Sequence, residues 1–123
     1  MSKLTAKERN LLKGAIRRVF SRSELRQKVV NRTLVADYSD PSRKRVKNWG
    51  RCEICLTLTP RSYLAVDHKD PVIPLDRSLE EMSWDELIDR IWCEESNLQA
   101  ICPECHDSKT KKERKLRKIK RRL

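Results

Sequence analysis

Four of the five cysteines form two pairs whose spacing is suited to binding a metal ion. Cys52 and Cys55 stand in the stretch CEIC, and Cys102 and Cys105 stand in CPEC, with 46 residues between the pairs. Two cysteines separated by two residues place two thiolates on one tight turn, and two such turns can close a tetrahedral shell around one ion. The pattern predicts a structural zinc ion (Zn²⁺) that ties the middle of the chain to its C-terminal part.

The chain has only two histidines, and each stands beside a residue that can bind a metal. His68 follows Asp67 in VDH, at the end of the run 62–68, which is rich enough in β-branched and aromatic residues to predict a strand. Successive residues of a strand point to opposite faces, so these two side chains can have different roles, although Asp-His also occurs as an ordinary surface pair. His106 follows the second cysteine pair, where it is also a candidate to replace one cysteine on the zinc.

The order of these residues resembles the HNH nuclease family. The match consists of VDH and NLQAICPECHDSKT, framed by the two cysteine pairs, and covers roughly residues 51–112. A helix beginning SWDEL, between the two halves of the match, is similar to that of small phage-borne HNH proteins. The resemblance implies a ββα-metal core and hydrolysis of DNA phosphodiester bonds.

The resemblance also implies a role for each residue of the match. His68 would be the general base, Asp67 and His106 would bind one catalytic divalent ion, Mg²⁺ or Mn²⁺, and Asn97 would orient His68. Asn97 is also suited to capping a turn. Attack at a single site implies a nick as the first product. The phage resemblance implies the bacterial host cytoplasm as location and phage packaging or replication proteins as partners.

The net charge of +11 is unevenly distributed along the chain. Residues 1–51 carry +11, residues 52–102 carry −7, and residues 103–123 carry +7. Two basic arms flanking an acidic middle are typical of a protein that grips a polyanion, and we expect that polyanion to be DNA. The residues predicted to contact DNA are Lys109, Lys111, Lys112, Arg43, Lys44, Arg45 and Lys47.

Capping patterns and apolar periodicity predict how the chain is organised. A Ser or Thr three residues before a Glu predicts helix starts at Thr5, Ser21 and Ser83, and Pro103 is suited to the first turn of a last helix. NLQAI predicts a second strand. The expected protein is of the α+β class, with a basic helical arm and loop at 1–50, a zinc-stabilised core at 51–112 and a basic helical tail at 113–123.

Composition narrows the functional classes further. No apolar stretch approaches the length of a membrane span, and the charged first segment predicts no signal peptide, so we expect a soluble cytosolic protein. The odd cysteine, Cys93, is expected to pack as a small buried apolar group. Two other functions fit the zinc and the basic arms: a non-catalytic zinc-stabilised DNA-binding module or regulator, and a scaffold protein of a phage particle or nuclease complex.

Overall fold

The structure is a computed structural model that describes residues 3–121. Within that range the chain forms four α-helices and two small antiparallel sheets, which confirms the predicted α+β class. None of these helices is long and apolar enough to cross a membrane. The helices are α1 (Ala6–Ser21), α2 (Glu24–Asn31), α3 (Trp84–Ile91) and α4 (Pro103–Arg121). The strands are β1 (Leu34–Val35), β2 (Trp49–Arg51), β3 (Leu58–Pro60), β4 (Ala65–His68) and β5 (Leu98–Ile101), and 3₁₀ turns lie at Arg61–Tyr63, Leu79–Glu81 and Glu95–Asn97.

Two of the three predicted helix caps are confirmed. The hydroxyl of Thr5 accepts from the N–H of Glu8 at 3.1 Å, and the carboxylate of Glu8 accepts from the N–H of Thr5 at 2.9 Å. This reciprocal pair satisfies two backbone donors that the first turn of α1 leaves free. Ser83 caps α3 by accepting from the N–H of Glu86 at 3.1 Å.

The predicted cap at Ser21 is wrong. Ser21 is the last residue of α1, and its hydroxyl donates to the carbonyl of Arg18 at 2.6 Å. Ser23 caps α2 instead, because it accepts from the N–H of Arg26 at 3.2 Å. Glu24 is therefore the first residue of α2, not the third, and the spacing from Ser21 to Glu24 is coincidental.

The three-stranded sheet has β2 in the middle, and its close packing requires a glycine there. Gly50 pairs with Leu34 on one side and Thr59 on the other. A Cβ atom at this position would lie 2.6 Å from Oγ1 of Thr33 and 2.7 Å from Cδ1 of Leu64. No side chain fits there without displacing its neighbours.

Strands β4 and β5 form a separate antiparallel pair, followed at once by α4. His68 lies opposite Leu98, and Asp67 lies opposite Gln99. Strand β4 begins at Ala65 and not at residue 62 as predicted, because the chain forms a 3₁₀ turn directly after β3. The strand predicted in NLQAI and the helix start predicted at Pro103 are both confirmed.

The main apolar core lies on one face of the β4–β5 pair. It is formed by buried residues from three helices, from β5 and from the loop before α3: Phe20, Val29, Val72, Leu87, Ile91, Leu98 and Ala100. Burying each of the larger side chains stabilises the fold by about 1.5–3 kcal/mol. Helices α1 and α2 therefore pack on the same core as the strand that carries His68.

Two arginines hold the proline-containing segment between β4 and α3. Arg90 donates from Nε to the carbonyl of Val72 at 2.7 Å. Arg117 donates to the carbonyls of Ile73 at 2.6 Å and Pro74 at 3.1 Å. Arg117 belongs to the predicted basic tail, but these bonds direct its guanidinium toward the body of the protein.

The predicted division into three segments stays a prediction. Both of its boundaries fall inside regular elements: residue 50 lies in β2, and residue 112 lies in α4, which continues to Arg121. The ends of the two outer segments, residues 1–2 and 122–123, lie outside the described range.

Candidate metal centre and catalytic cleft

The two predicted cysteine pairs lie together in space. The Sγ atoms of Cys52, Cys55, Cys102 and Cys105 all lie within 4.8 Å of one another, and those of Cys55 and Cys102 are 3.7 Å apart. Four sulfurs at the usual Zn–S distance of about 2.3 Å form a tetrahedron with edges of about 3.8 Å. The cluster therefore fits one tetrahedral zinc ion. It is the only group of three or more such ligand atoms within residues 3–121, and His106 is not part of it.

Local hydrogen bonds favour the thiolate form of the first pair. The N–H groups of Ile54 and Cys55 point at Sγ of Cys52 from 3.4 and 3.5 Å. Burial alone would raise the pKa of Cys52, but backbone donors lower it. The Thr57 hydroxyl, 3.2 Å from Sγ of Cys55, lowers the pKa of that thiol to about 6. Burial and the adjacent thiols raise the pKa of Cys105 to about 12. A bound cation would counter that repulsion, because it stabilises thiolates directly.

Glu53, inside the first cysteine pair, fastens that pair to β5. Its N–H donates to the carbonyl of Ala100 at 2.9 Å, and its carboxylate accepts from the N–H of Ala100 at 2.8 Å. Arg32 holds the same carboxylate through bonds of 2.8 and 3.1 Å and also donates to the carbonyl of Leu98 at 2.7 Å. The candidate zinc site is thus fixed relative to the β4–β5 pair.

Asp67 and His68 point to opposite faces of β4, as strand geometry predicts. His68 lies on the core side, where its ring centroid is 5.5 Å from that of Phe20. Asp67 lies on the side of α4, where its carboxylate is 2.8 Å from Nζ of Lys109.

A backbone carbonyl fixes the proton on the His68 ring. Nε2 lies 2.8 Å from the carbonyl oxygen of Ile91, which can only accept, so Nε2 carries hydrogen. In the neutral ring, Nδ1 is then the nitrogen that can accept a proton. Burial lowers the pKa of His68, and the nearby cations Arg17 and Lys109 lower it further, against the opposing effects of Ile91 and Asp67. The neutral imidazole therefore predominates at neutral pH.

Lys109 is held by carboxylates and does not project freely into solvent. Its ammonium contacts the carboxylates of Asp67, at 2.8 Å, and Glu113, and donates to the carbonyl of His68 at 3.0 Å. Burial alone would lower the pKa of Lys109, but the bonds to Asp67 and Glu113 raise it. Gln99 donates to the same oxygen of Asp67 at 3.4 Å. Asp67 thus already holds a cation in this arrangement.

Asn97 connects the loop after His68 to the start of β5. Its Oδ1 accepts from the N–H of Asp70 at 3.0 Å, and its backbone carbonyl accepts from the N–H of Lys69 at 2.8 Å. Its Nδ2 donates to Sγ of Cys93 at 3.5 Å. Within residues 3–121, none of its hydrogen bonds goes to the ring of His68. Asn97 can therefore act on His68 only through the backbone of the following loop.

His106 shares a cleft with Asp67 and His68. The cleft has a volume of about 710 Å³ and is lined by residues of α1, β4 and α4. His106 is exposed on the first turn of α4, where its N–H donates to the carbonyl of Cys102 at 2.9 Å. The second cysteine pair thus sets the position of His106. The cleft also contains Glu113 and the α1 residues Lys13 and Arg17, which the sequence did not indicate.

The residues predicted to contact DNA differ in the contacts that they already make within the protein. Lys111 and Lys112 are exposed on α4, and Lys111 pairs with Asp107 at 3.0 Å across one helical turn. Arg43 lies over the rings of Trp49 and Tyr63, with its guanidinium carbon 5.8 and 5.4 Å from the centroids. The other members of that group, Lys44, Arg45 and Lys47, are exposed.

Comparison with protein-family models, curated proteins and solved structures finds no match to this chain. Inferences about its function therefore depend on the arrangement of its own residues.

Proposed function

We propose that the protein is a metal-dependent endonuclease of the HNH type that hydrolyses DNA phosphodiester bonds. The observation that carries this proposal is the placement of His68. Its ring is held in the tautomer that leaves Nδ1 able to accept a proton, in a cleft that also contains Asp67 and His106. On this proposal β4, β5 and α4 form the ββα-metal core.

Zinc would be a structural cofactor in this protein. Four clustered thiols without a histidine or a carboxylate form a closed shell, which leaves no position for a reacting water. The ion would instead hold the first turn of α4 against the segment before β3. This arrangement would keep His106 at the edge of the cleft.

His68 would act as the general base. Hydrolysis requires a water to lose a proton as it attacks phosphorus, and an imidazole that is neutral near the working pH is suited to take that proton. Nδ1 would accept it while Nε2 continues to donate to the carbonyl of Ile91. Asn97 would be a positioning residue, because it fixes the chain directly after His68 through Lys69 and Asp70.

Asp67 and His106 would hold one divalent ion, Mg²⁺ or Mn²⁺. A carboxylate and an imidazole on one cleft fit such an ion when water and phosphate supply the other ligands. The bound ion would stabilise negative charge on the phosphate and on the leaving oxygen. Lys109 would have to give up its contact with Asp67, and Glu113 would keep its ammonium close by.

One observation favours a non-catalytic zinc-stabilised DNA-binding protein as the second candidate. The Asp67 carboxylate is already satisfied by Lys109 and Gln99, an arrangement that needs no metal. In a non-catalytic protein of this kind, Lys109 would be a structural cation. The exposed lysines and arginines would then supply the whole function.

Nicking of a supercoiled plasmid separates the two candidates. Zinc-loaded wild-type protein is incubated with plasmid and Mg²⁺ or Mn²⁺, alongside His68→Ala and a reaction without added divalent ion. We expect nicked circles only with wild-type protein plus a divalent ion. If wild-type protein makes no more nicked circles than His68→Ala, with equal zinc content and DNA affinity, the nuclease proposal fails. Phage packaging or replication proteins stay proposed partners.

A further inference from the structure

One wall of the cleft is formed by cations from two helices. Lys13 and Arg17 of α1 and Arg117 of α4 line the cleft that contains His68. The spacing from Lys13 to Arg17 places both side chains on the same side of α1. These three residues, which we call the cation wall, line the same cleft as the residues to which we assign the chemistry.

Carboxylates do not neutralise the cation wall. Among the residues that the structure describes, Lys13, Arg17 and Arg117 form no salt bridge with an Asp or Glu, whereas Lys109 of α4 forms two. Arg117 is oriented by the carbonyls of Ile73 and Pro74, which accept its hydrogen bonds without removing its charge. The wall thus carries positive charge that no ion pair within the described residues compensates, and Arg117 is held in a fixed orientation.

The cations are also close enough to repel one another. Lys13 is half-buried, and burial together with the charges of Arg17 and Arg117 lowers its pKa. Grouping like charges in a partly desolvated cleft is unfavourable for the free protein. An anion that binds between them would remove this penalty, so the arrangement is suited to an anionic ligand.

We infer that the cation wall of Lys13, Arg17 and Arg117 binds backbone phosphates of DNA and sets the phosphodiester opposite His68. Guanidinium groups bind phosphate oxygens through paired hydrogen bonds, and an ammonium adds a point charge. A polyanion is favoured over a single nucleotide because the whole chain carries a net charge of +11. The inference rests on the proposed function in taking DNA as the polyanion. It adds that α1 is part of the DNA-binding cleft.

The salt dependence of binding tests this inference. A fluorescently labelled DNA duplex is titrated with zinc-loaded protein without added divalent ion, so that no cleavage is required. Each phosphate contact made by a cation contributes about 1 to the slope of log K against log salt. Lys13→Gln combined with Arg17→Gln should reduce that slope by about 2.

The matched control removes the same charge from the same helix outside the cleft. Lys7→Gln combined with Arg18→Gln changes two exposed residues of α1 that do not line the cleft. We expect this control to reduce the slope by less than half as much. Equal effects of the two double variants, or an unchanged slope in the cleft variant, would overturn the inference.

Further variants and the nicking assay distinguish a failure of this inference from misfolding and from a failure of the nuclease proposal. If the cleft variant does not fold, Lys13→Gln alone should reduce the slope by about 1, and Arg17→Lys, which keeps its charge, should leave it unchanged. If the wild type does not nick plasmid but the slopes differ as expected, the nuclease proposal fails and the cation wall stands. If the wild type nicks and the slopes are equal, only the cation wall fails.

Discussion

Nε2 of His68 lies 2.8 Å from the carbonyl oxygen of Ile91, the last residue of α3. This hydrogen bond couples the orientation of the His68 ring, the proposed base, to the position of α3 in the core. It gives α3 a direct role in the site, although α3 contributes no residue to the chemistry.

The lowered pKa of His68 predicts a pH dependence of activity. Burial and the nearby cations lower the pKa below its ordinary value of 6.5, so the ring should be neutral and active at pH 7. Nicking should decline only as the pH falls below 6.5 toward the lowered pKa. NMR titration of the His68 ring, assigned with His68→Ala, measures the same pKa. A ring pKa above 6.5 would contradict this expectation.

The same shift predicts how His68 contributes to stability. Because the folded pKa is lower than the unfolded one, the unfolded state binds more protons in the window between them. The contribution of His68 is therefore fully present above pH 6.5 and is lost as the pH falls through that window. Urea denaturation at several pH values should show a decrease that is smaller in His68→Ala. Identical decreases in both proteins would count against this linkage.

Zinc content tests the cysteine cluster. We expect one zinc per chain, and Cys55→Ser should lose it and be strongly destabilised. Structural zinc contributes on the order of 10 kcal/mol in small metal-dependent domains, which is comparable to the whole stability of a domain. Cys93→Ser is the matched control and should retain zinc, because Cys93 lies outside the cluster. Elemental analysis and thermal melting measure both effects, and a zinc-free wild type that melts cooperatively would be contrary evidence.

The two glycines should respond to alanine in opposite directions. Gly50→Ala should lower the free energy of unfolding by about 1–3 kcal/mol, because a Cβ would lie 2.6 Å from Oγ1 of Thr33. Gly14→Ala should raise it by roughly 0.5–1 kcal/mol, because Gly14 is inside α1 and its nearest neighbour would be a flexible arginine at 3.5 Å. Urea denaturation of both variants measures the two changes in the free energy of unfolding. An unchanged free energy of unfolding in Gly50→Ala would contradict the close packing around β2.

The link between Arg32 and Glu53 should be measurable by a double-mutant cycle. Their side chains are 30% and 28% exposed, and Glu53 also accepts from Ala100, so we expect a coupling energy of about 0.5–3 kcal/mol. Lys111 and Asp107, 66% and 65% exposed, provide a matched pair for which about 0–0.5 kcal/mol is expected. Similar couplings in the two pairs would mean that Arg32 does not help to hold Glu53 in place.

Patterns between residues close in the sequence predicted the local structure well. The cysteine spacing, the caps at Thr5 and Ser83 and the strand in NLQAI depend on short-range geometry that the residue types specify. The predicted cap at Ser21 was wrong for a local reason too. Two serines lie within three residues, and only Ser23 directly precedes a helix.

Apart from the meeting of the two cysteine pairs, contacts between distant residues could not be predicted from the same patterns. Lys109 was expected to contact DNA, and only its spacing of four from Glu113 indicated a partner. Its contact with Asp67 depends on how α4 packs against β4. The entry of Lys13 and Arg17 into the cleft likewise depends on α1 packing across the core, which helical periodicity does not encode.

On the proposed function, the His68 imidazole takes a proton from water during DNA hydrolysis. The most direct measurement is the single-turnover nicking rate of His68→Ala at saturating protein, with and without added imidazole. We expect a loss of about 10²–10⁴-fold, partly restored as imidazole is added, with zinc content unchanged. A His68→Ala protein that nicks at the wild-type rate without imidazole would contradict this role of His68.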